Sequence, residues 1–184
     1  MSDLVLDPAR TGLVIVDLQN DFLHPDGHYA QNGIDIGHMR RVIEPIAKLT
    51  HEARRRGVPI IWTRHGTRGV EDGGPFMRLR PFLKDGGLRQ NTWGYEILED
   101  LEPQPNDWYV EKTRLSGYFA TNLDVTSTAS LECPSILITV PIASIDGDVS
   151  STSLARMNVA NLFALQRFSA QNLSIPRPIL LFFK

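Results

Sequence analysis

Two continuous apolar runs constrain the fold more than any other feature of the chain. TGLVIVD (11–17) and VPIIWTR (58–64) carry Leu, Val, Ile and Trp without regular polar alternation, and the first closes on an acid. A strand with one wet face alternates apolar and polar residues. A strand without alternation is buried on both faces, as in a parallel sheet covered by helices. Between the runs, Met39, Val42, Ile43, Ile46, Leu49 and Ala53 recur at helical spacing over residues 36–56, with three arginines in the last turn and Gly57 as a stop. Pro45 predicts a kink in that helix. A β-α-β unit is therefore complete by residue 64.

The rest of the chain continues the alternation. DWYVEK (107–112) reads as a third strand, SILITV (135–140) as a fourth and PILLFF (178–183) as a last one. GYEILEDL (94–101) predicts a short helix. A further helix is expected from Ser116, capped by that serine, with Tyr118, Phe119 and Leu123 on one side. Residues 150–166 are another helix candidate. Residues 65–92 are Gly-rich and irregular, and a compact domain that keeps so long an excursion usually uses it. The expectation is a single α/β domain over 1–184, three layers deep, with a mainly parallel sheet and helices on both faces.

Composition narrows the function classes. A net charge of −2 over 184 residues gives no electrostatic case for nucleic acid or an anionic membrane surface. A single cysteine excludes an internal disulfide framework and suits a reducing compartment. MSDLVLDPAR lacks a signal-peptide pattern, and the apolar PILLFF is far shorter than the roughly 20 residues a spanning helix needs. These features lead to the expectation of a cytoplasmic protein. Within the chain, residues 1–125 hold 33 charged residues and 2 serines, whereas 126–184 hold 7 charged residues and 9 serines. Residues 126–184 therefore read as a divergent or altered segment, of the kind a frame change or alternative splice produces, in which the C-terminal part of the fold is incomplete.

Asp17 closes a buried strand and opens DLQNDF, and Lys112 closes the third strand in the same sense. Ligands of open α/β sheets bind beyond the carboxyl ends of the strands, so these two residues are candidates for a base and a cationic stabiliser. A structural ion pair at the sheet's end is the alternative. His24, Asp26 and His28 in HPDGH mimic metal-ligand spacing, but a Pro-Asp-Gly turn accounts for the stretch. No metal and no cofactor is expected, and the glycines form no phosphate-binding fingerprint.

GLVIVDLQNDFL, GVPIIWTRH and YVEKTRLSGYFATNLD together resemble the isochorismatase-like cysteine hydrolases. The stretch NTWGYEILEDLEPQPNDWYVEKTRLSGYFATNLD is most similar to the ureidoacrylate and biuret amidohydrolase branch, and the likeness covers roughly residues 5–125. It implies hydrolysis of a C–N bond in a small amide, carbamoyl or ureido compound through a Cys-Asp-Lys triad, usually in a homo-oligomer. Carried over, Asp17 is the base that takes the thiol proton and Lys112 lowers the thiol's pKa. Gln19, Asn20 and Phe22 become candidates for substrate contact. Ser116 and Gly117 match a turn whose backbone shapes the pocket.

The cysteine itself is missing from its motif. After the fourth strand the chain reads TVPIASIDGDVSST, and the nucleophile's place falls around Asp146–Asp148. Cys133 precedes that strand, which places it roughly 20 Å from the site by strand rise. Ser144 and Ser150 are serines without a recognisable elbow. The alternative expectation is therefore a catalytically dead homologue or a binding protein.

Overall fold

The computed structural model describes residues 8, 11–74, 76–123, 125, 126 and 136–140. Four strands form one sheet, β1 (Thr11–Val16), β2 (Ile60–His65), β3 (Trp108–Lys112) and β4 (Ile136–Val140), in the order β3-β2-β1-β4. All three pairings are parallel. The α/β architecture expected from the apolar runs is the one observed. The last expected strand and the helix over 150–166 lie outside the described residues.

The lack of alternation in β1 and β2 has a direct cause. Leu13, Ile15, Ile60 and Trp62 enter the larger core cluster on one face of the sheet. Val14, Ile61 and Val110 enter a second cluster with Leu123 on the other face. Adjacent residues of one strand therefore bury against different layers. Trp62 is fully buried, and its Nε1 donates to Asp107 Oδ2 at 2.8 Å, so the indole brings its own polar atom a partner.

Pro45 acts differently from the expected kink. The helical segment divides into α3 (Gly37–Arg40) and α4 (Ile43–Arg55). In one continuous helix, residue 45 would have to donate a backbone hydrogen bond to the carbonyl of Arg41, and proline has no N–H to give. Restarting at Ile43 puts Pro45 in the first turn, where backbone N–H groups have no intrahelical partner anyway. Gly57 ends α4 at φ +71°, with its N–H on Arg54 O and Val58 N–H on Ala53 O. That left-handed residue closes the last turn as glycine does at little strain. Ile46, Thr50 and Ala53 are the buried side of α4.

Two other helices expected from sequence form otherwise. Residues 94–101 make only 3-10 turns at Trp93–Tyr95 and Glu99–Leu101. Asn20 N donates to Glu96 O and Leu98 N donates to Leu18 O, so pairing with the chain after β1 draws this segment out of a helix. Ser116 does not cap a helix. Its Oγ accepts from Tyr118 N at 3.2 Å in a local turn, and helical backbone begins at Leu123. Among the described residues, no helix is long and apolar enough to cross a membrane.

Candidate active site

The carboxyl ends of β1, β2 and β3 converge on one ion pair. Asp17 follows β1 with φ +62°, a conformation that costs a non-glycine residue strain and that Asp tolerates better than most. The backbone is held there by Asp17 N donating to Thr63 O and Gln19 N donating to Asp17 O. This conformation aims the carboxylate across β2 toward β3. Its Oδ2 lies 2.6 Å from Lys112 Nζ, and its Oδ1 accepts from Thr63 Oγ1 at 2.8 Å. The Lys112 side chain is 1% exposed and that of Asp17 is 15% exposed, so the pair is dry on the lysine side and reachable on the acid side.

Lys112 is held in a cage. Besides Asp17, its Nζ donates to the carbonyls of Arg114 at 3.3 Å and Leu115 at 3.4 Å. His65 forms another wall, with Nδ1 3.5 Å from Lys112 Nζ and 3.3 Å from Arg114 O. Residues 63, 65 and 112 meet because β2 and β3 are in register with Thr63 opposite Val110 and His65 opposite Lys112. Burial, first, and the adjacent Lys112 ammonium, second, push the imidazole of His65 down to about 4, against an opposing pull from Asp17. The histidine is therefore neutral at physiological pH.

Gln19 supports this assembly from below. It is fully buried, and its Nε2 donates to His65 O at 3.0 Å and Tyr95 O at 2.8 Å while its Oε1 accepts from His65 N at 2.7 Å. Asn20 donates from Nδ2 to Trp93 O at 2.8 Å, and Phe22 packs its ring 4.8 Å from that of Tyr29 in the larger core. Of the residues singled out in the sequence, Asp17 and Lys112 are in contact. Gln19, Asn20 and Phe22 point into the protein, where backbone groups or aromatic rings occupy them. Ser116 is half-buried in the bend after β3.

Thr63, His65 and Asp21 went unnoticed in the sequence. The first two sit at alternate positions of one strand, a signal that becomes readable only with the register to β3. Asp21 is a buried carboxylate whose Oδ1 accepts from His28 N at 3.0 Å and whose Oδ2 accepts from Leu88 N at 2.5 Å. It fastens the end of the Gly-rich excursion to the loop after β1. His24 and His28 are turned apart, His24 edge-on to Trp93 and His28 stacked on Phe82 with Nε2 3.0 Å from Phe82 O. Among the described residues, no group of three or more His, Cys, Asp or Glu side chains is placed to hold a metal ion. Cys133, Ser144, Ser150 and the Asp146–Asp148 stretch lie outside the described residues.

The comparisons with known proteins agree with this fold. The isochorismatase domain family matches residues 11–130. The chain belongs to the isochorismatase family. It is 38% identical over 135 residues to the ureidoacrylate amidohydrolase RutB of Agrobacterium fabrum, covering 66% of this chain and 59% of that protein. It is 34% identical over 133 residues to the enzyme of the same name from Caulobacter segnis, covering 65% and 56%. Among solved structures, a cysteine hydrolase from Pseudomonas syringae pv. phaseolicola superposes with a TM-score of 0.63 at 30% identity, covering 76% of this chain and 64% of that one. N-carbamoylsarcosine amidase from Thermoplasma acidophilum shares the fold at a TM-score of 0.58 and 23% identity, covering 71% and 66%. The chain spans less than two thirds of the length of these curated relatives. The expectation of a dead homologue gains no support here, since the relatives are named as hydrolases.

Proposed function

We propose that the chain hydrolyses a C–N bond of a small amide, carbamoyl or ureido compound, with Asp17 as the base and Lys112 as the cation beside the reacting atoms. The observation that carries this reading is the Asp17–Lys112 pair at 2.6 Å, at the carboxyl ends of a parallel sheet. The acid's partial exposure leaves room for an attacking group, and the caged lysine cannot swing away.

In this reading a hydroxyl or thiol bonds to the substrate's carbonyl carbon while Asp17 takes its proton. The C–N bond breaks as that proton passes to the leaving nitrogen, and water releases the acyl group by the same route. Lys112 supplies positive charge to the anion that develops, in a site where little water screens it. Thr63 and the Gln19–His65 brace hold the pair in place. Gln19, Asn20 and Phe22 act by shaping the loop after β1, and Ser116 by its place in the bend beyond Lys112.

The register of β4 supports an attacking group that follows Val140 in sequence rather than one that precedes Ile136. Val140 pairs with Ile15, two residues short of Asp17, so β4 ends on the same side of the sheet as the acid. Ile136, three residues after Cys133, pairs with Thr11 at the other end of β1. Ser144 is the first nucleophilic side chain after Val140 in sequence. The ureidoacrylate amidohydrolases among the relatives support the ureido class of substrate. A cytoplasmic setting, supported by the low cysteine count, and a homo-oligomeric state, implied by the family, belong to the same proposal.

The test is ammonia release from 3-ureidoacrylate, 3-ureidopropionate, biuret and simple amides. Turnover of at least one compound is expected, with Asp17→Asn and Lys112→Met each losing about a thousandfold or more. Ser144→Ala, Ser150→Ala and Cys133→Ser then identify the attacking atom. No ammonia from any compound, or turnover untouched by Asp17→Asn, would sink the proposal.

A further inference from the structure

His65 meets the candidate site with its ring as well as with its backbone. Gln19 braces the backbone, and the residue is fully buried. The ring's Nδ1 stands 3.3 Å from Arg114 O and 3.5 Å from Lys112 Nζ. The parallel register fixes that meeting, because His65 of β2 lies opposite Lys112 of β3 and the two side chains share one face of the sheet.

The protons around the ammonium can be assigned. Lys112 Nζ has three to donate, and three oxygens receive them: Asp17 Oδ2 at 2.6 Å, Arg114 O at 3.3 Å and Leu115 O at 3.4 Å. None is left for His65 Nδ1, the most distant of the four neighbours. Nδ1 and Arg114 O are nevertheless in hydrogen-bond contact, and a carbonyl brings no proton to such a contact. The proton therefore sits on Nδ1, and the ring donates to the same carbonyl that the lysine uses, one lone pair serving each donor. A neutral imidazole suffices, and burial beside the ammonium keeps His65 neutral.

We propose that His65 is a positioning residue for the lysine: its Nδ1–H holds Arg114 O where that carbonyl directs Lys112 Nζ onto Asp17. Lysine carries its charge on a flexible stem, so the acceptors around the ammonium decide where the charge stands. Arg114 lies two residues past the end of β3, outside the sheet's ladder, so its carbonyl takes its direction from the groups it accepts from. The ring on β2 supplies that direction. This deepens the hydrolase reading: where the ammonium stands is a property of the folded chain, and only its effect on turnover rests on that reading.

The experiment begins with proton–nitrogen NMR of the nitrogen-15-labelled full chain at neutral pH. His65 is expected to carry its proton on Nδ1, and the Lys112 ammonium to give a slowly exchanging signal that Lys112→Met removes. A proton on Nε2, or a Lys112 ammonium that exchanges as fast as the surface lysines, overturns the inference in the wild type itself. His65→Leu and His65→Asn follow, the asparagine keeping an N–H donor near the place of Nδ1. Leucine is expected to shift or broaden the Lys112 signal and to lower kcat about ten- to a hundredfold with KM little changed. Asparagine recovers most of both losses. An unchanged Lys112 signal in the leucine variant, or equal losses in both variants, overturns the inference; if the leucine variant does not fold, the wild-type proton position and the asparagine variant decide. The expected NMR signals without turnover of any ureido or amide compound keep the positioning role and remove hydrolysis. Turnover with a kcat untouched by His65→Leu does the reverse.

Discussion

His65 makes the stability of this protein depend on pH in a window that few side chains reach. The imidazole is buried at 2% exposure beside a lysine ammonium and takes a proton in the folded chain only near pH 4, against an ordinary value of 6.5. Because the folded value lies below the unfolded one, the unfolded chain binds a proton that the folded chain refuses as pH falls from 6.5 to 4. Stability is therefore fully present above pH 6.5 and falls toward pH 4. The whole interval corresponds to about 3 kcal/mol, and the part between pH 7.5 and 5.5 to about 1.4 kcal/mol. The perturbation is His65→Asn, which keeps a hydrogen-bonding nitrogen near the place of Nδ1 and does not titrate. The assay is urea unfolding followed by tryptophan fluorescence at the two pH values, in wild type and variant. The wild type should lose about 1.4 kcal/mol more than the variant on going to pH 5.5, with unchanged m-values. Equal losses would mean that His65 takes up its proton in the folded state and that the cage around Lys112 is open to water.

Removing one member of the buried pair should cost more than removing both. Asp17→Asn leaves the Lys112 ammonium in its cage without a counter-charge and is expected to destabilise by about 3–5 kcal/mol. The double variant Asp17→Asn/Lys112→Met recovers much of that loss in urea unfolding at pH 7.5. Gly94→Ala would bring a Cβ to 2.2 Å from Asp21 Oδ1, so a loss of about 1–3 kcal/mol and a lower melting temperature are expected. Asp21→Ala in the same chain should relieve the clash while releasing the Leu88 end of the excursion, which amide exchange of Leu88 would report. Gln19→Leu leaves His65 N, His65 O and Tyr95 O without their side-chain partner and should cost at least about 3 kcal/mol by thermal or urea unfolding.

The strands were legible because burial on both faces writes itself into composition: Leu13 and Val14 must both be apolar when each faces a different core. Asp17 and Lys112 were legible for a related reason, since a charge ending such a run has nowhere to go but the sheet's carboxyl edge. The helices were less so. The apolar spacing over 36–56 is real, yet one absent N–H at Pro45 divides the segment. Residues 94–101 have helical propensity, but Ile97 bridges to Gln19 in antiparallel fashion, a contact 78 positions away along the chain that no local pattern records. Gln19 and Asn20 resembled pocket residues by their place in DLQND, and only the fold shows that backbone carbonyls occupy their amides.

The candidate site is built from residues of very different visibility in the sequence. A candidate carboxylate can be read from its strand end, but the geometry around it comes from neighbours whose role is relational. Asp17 at φ +62° is strained, and glycine would sit there more comfortably. It keeps that conformation because Thr63 O and Thr63 Oγ1 hold it from β2 and Lys112 Nζ from β3. Lys112 in turn stays put because the bend after β3 presents two carbonyls rather than a helix. The carbonyls that meet the ammonium, Arg114 O and Leu115 O, belong to the bend just ahead of Ser116, where the sequence predicts the start of a helix. That turn also carries the Arg114 side chain to Asp72, whose backbone carbonyl accepts from its Nη1 at 2.8 Å.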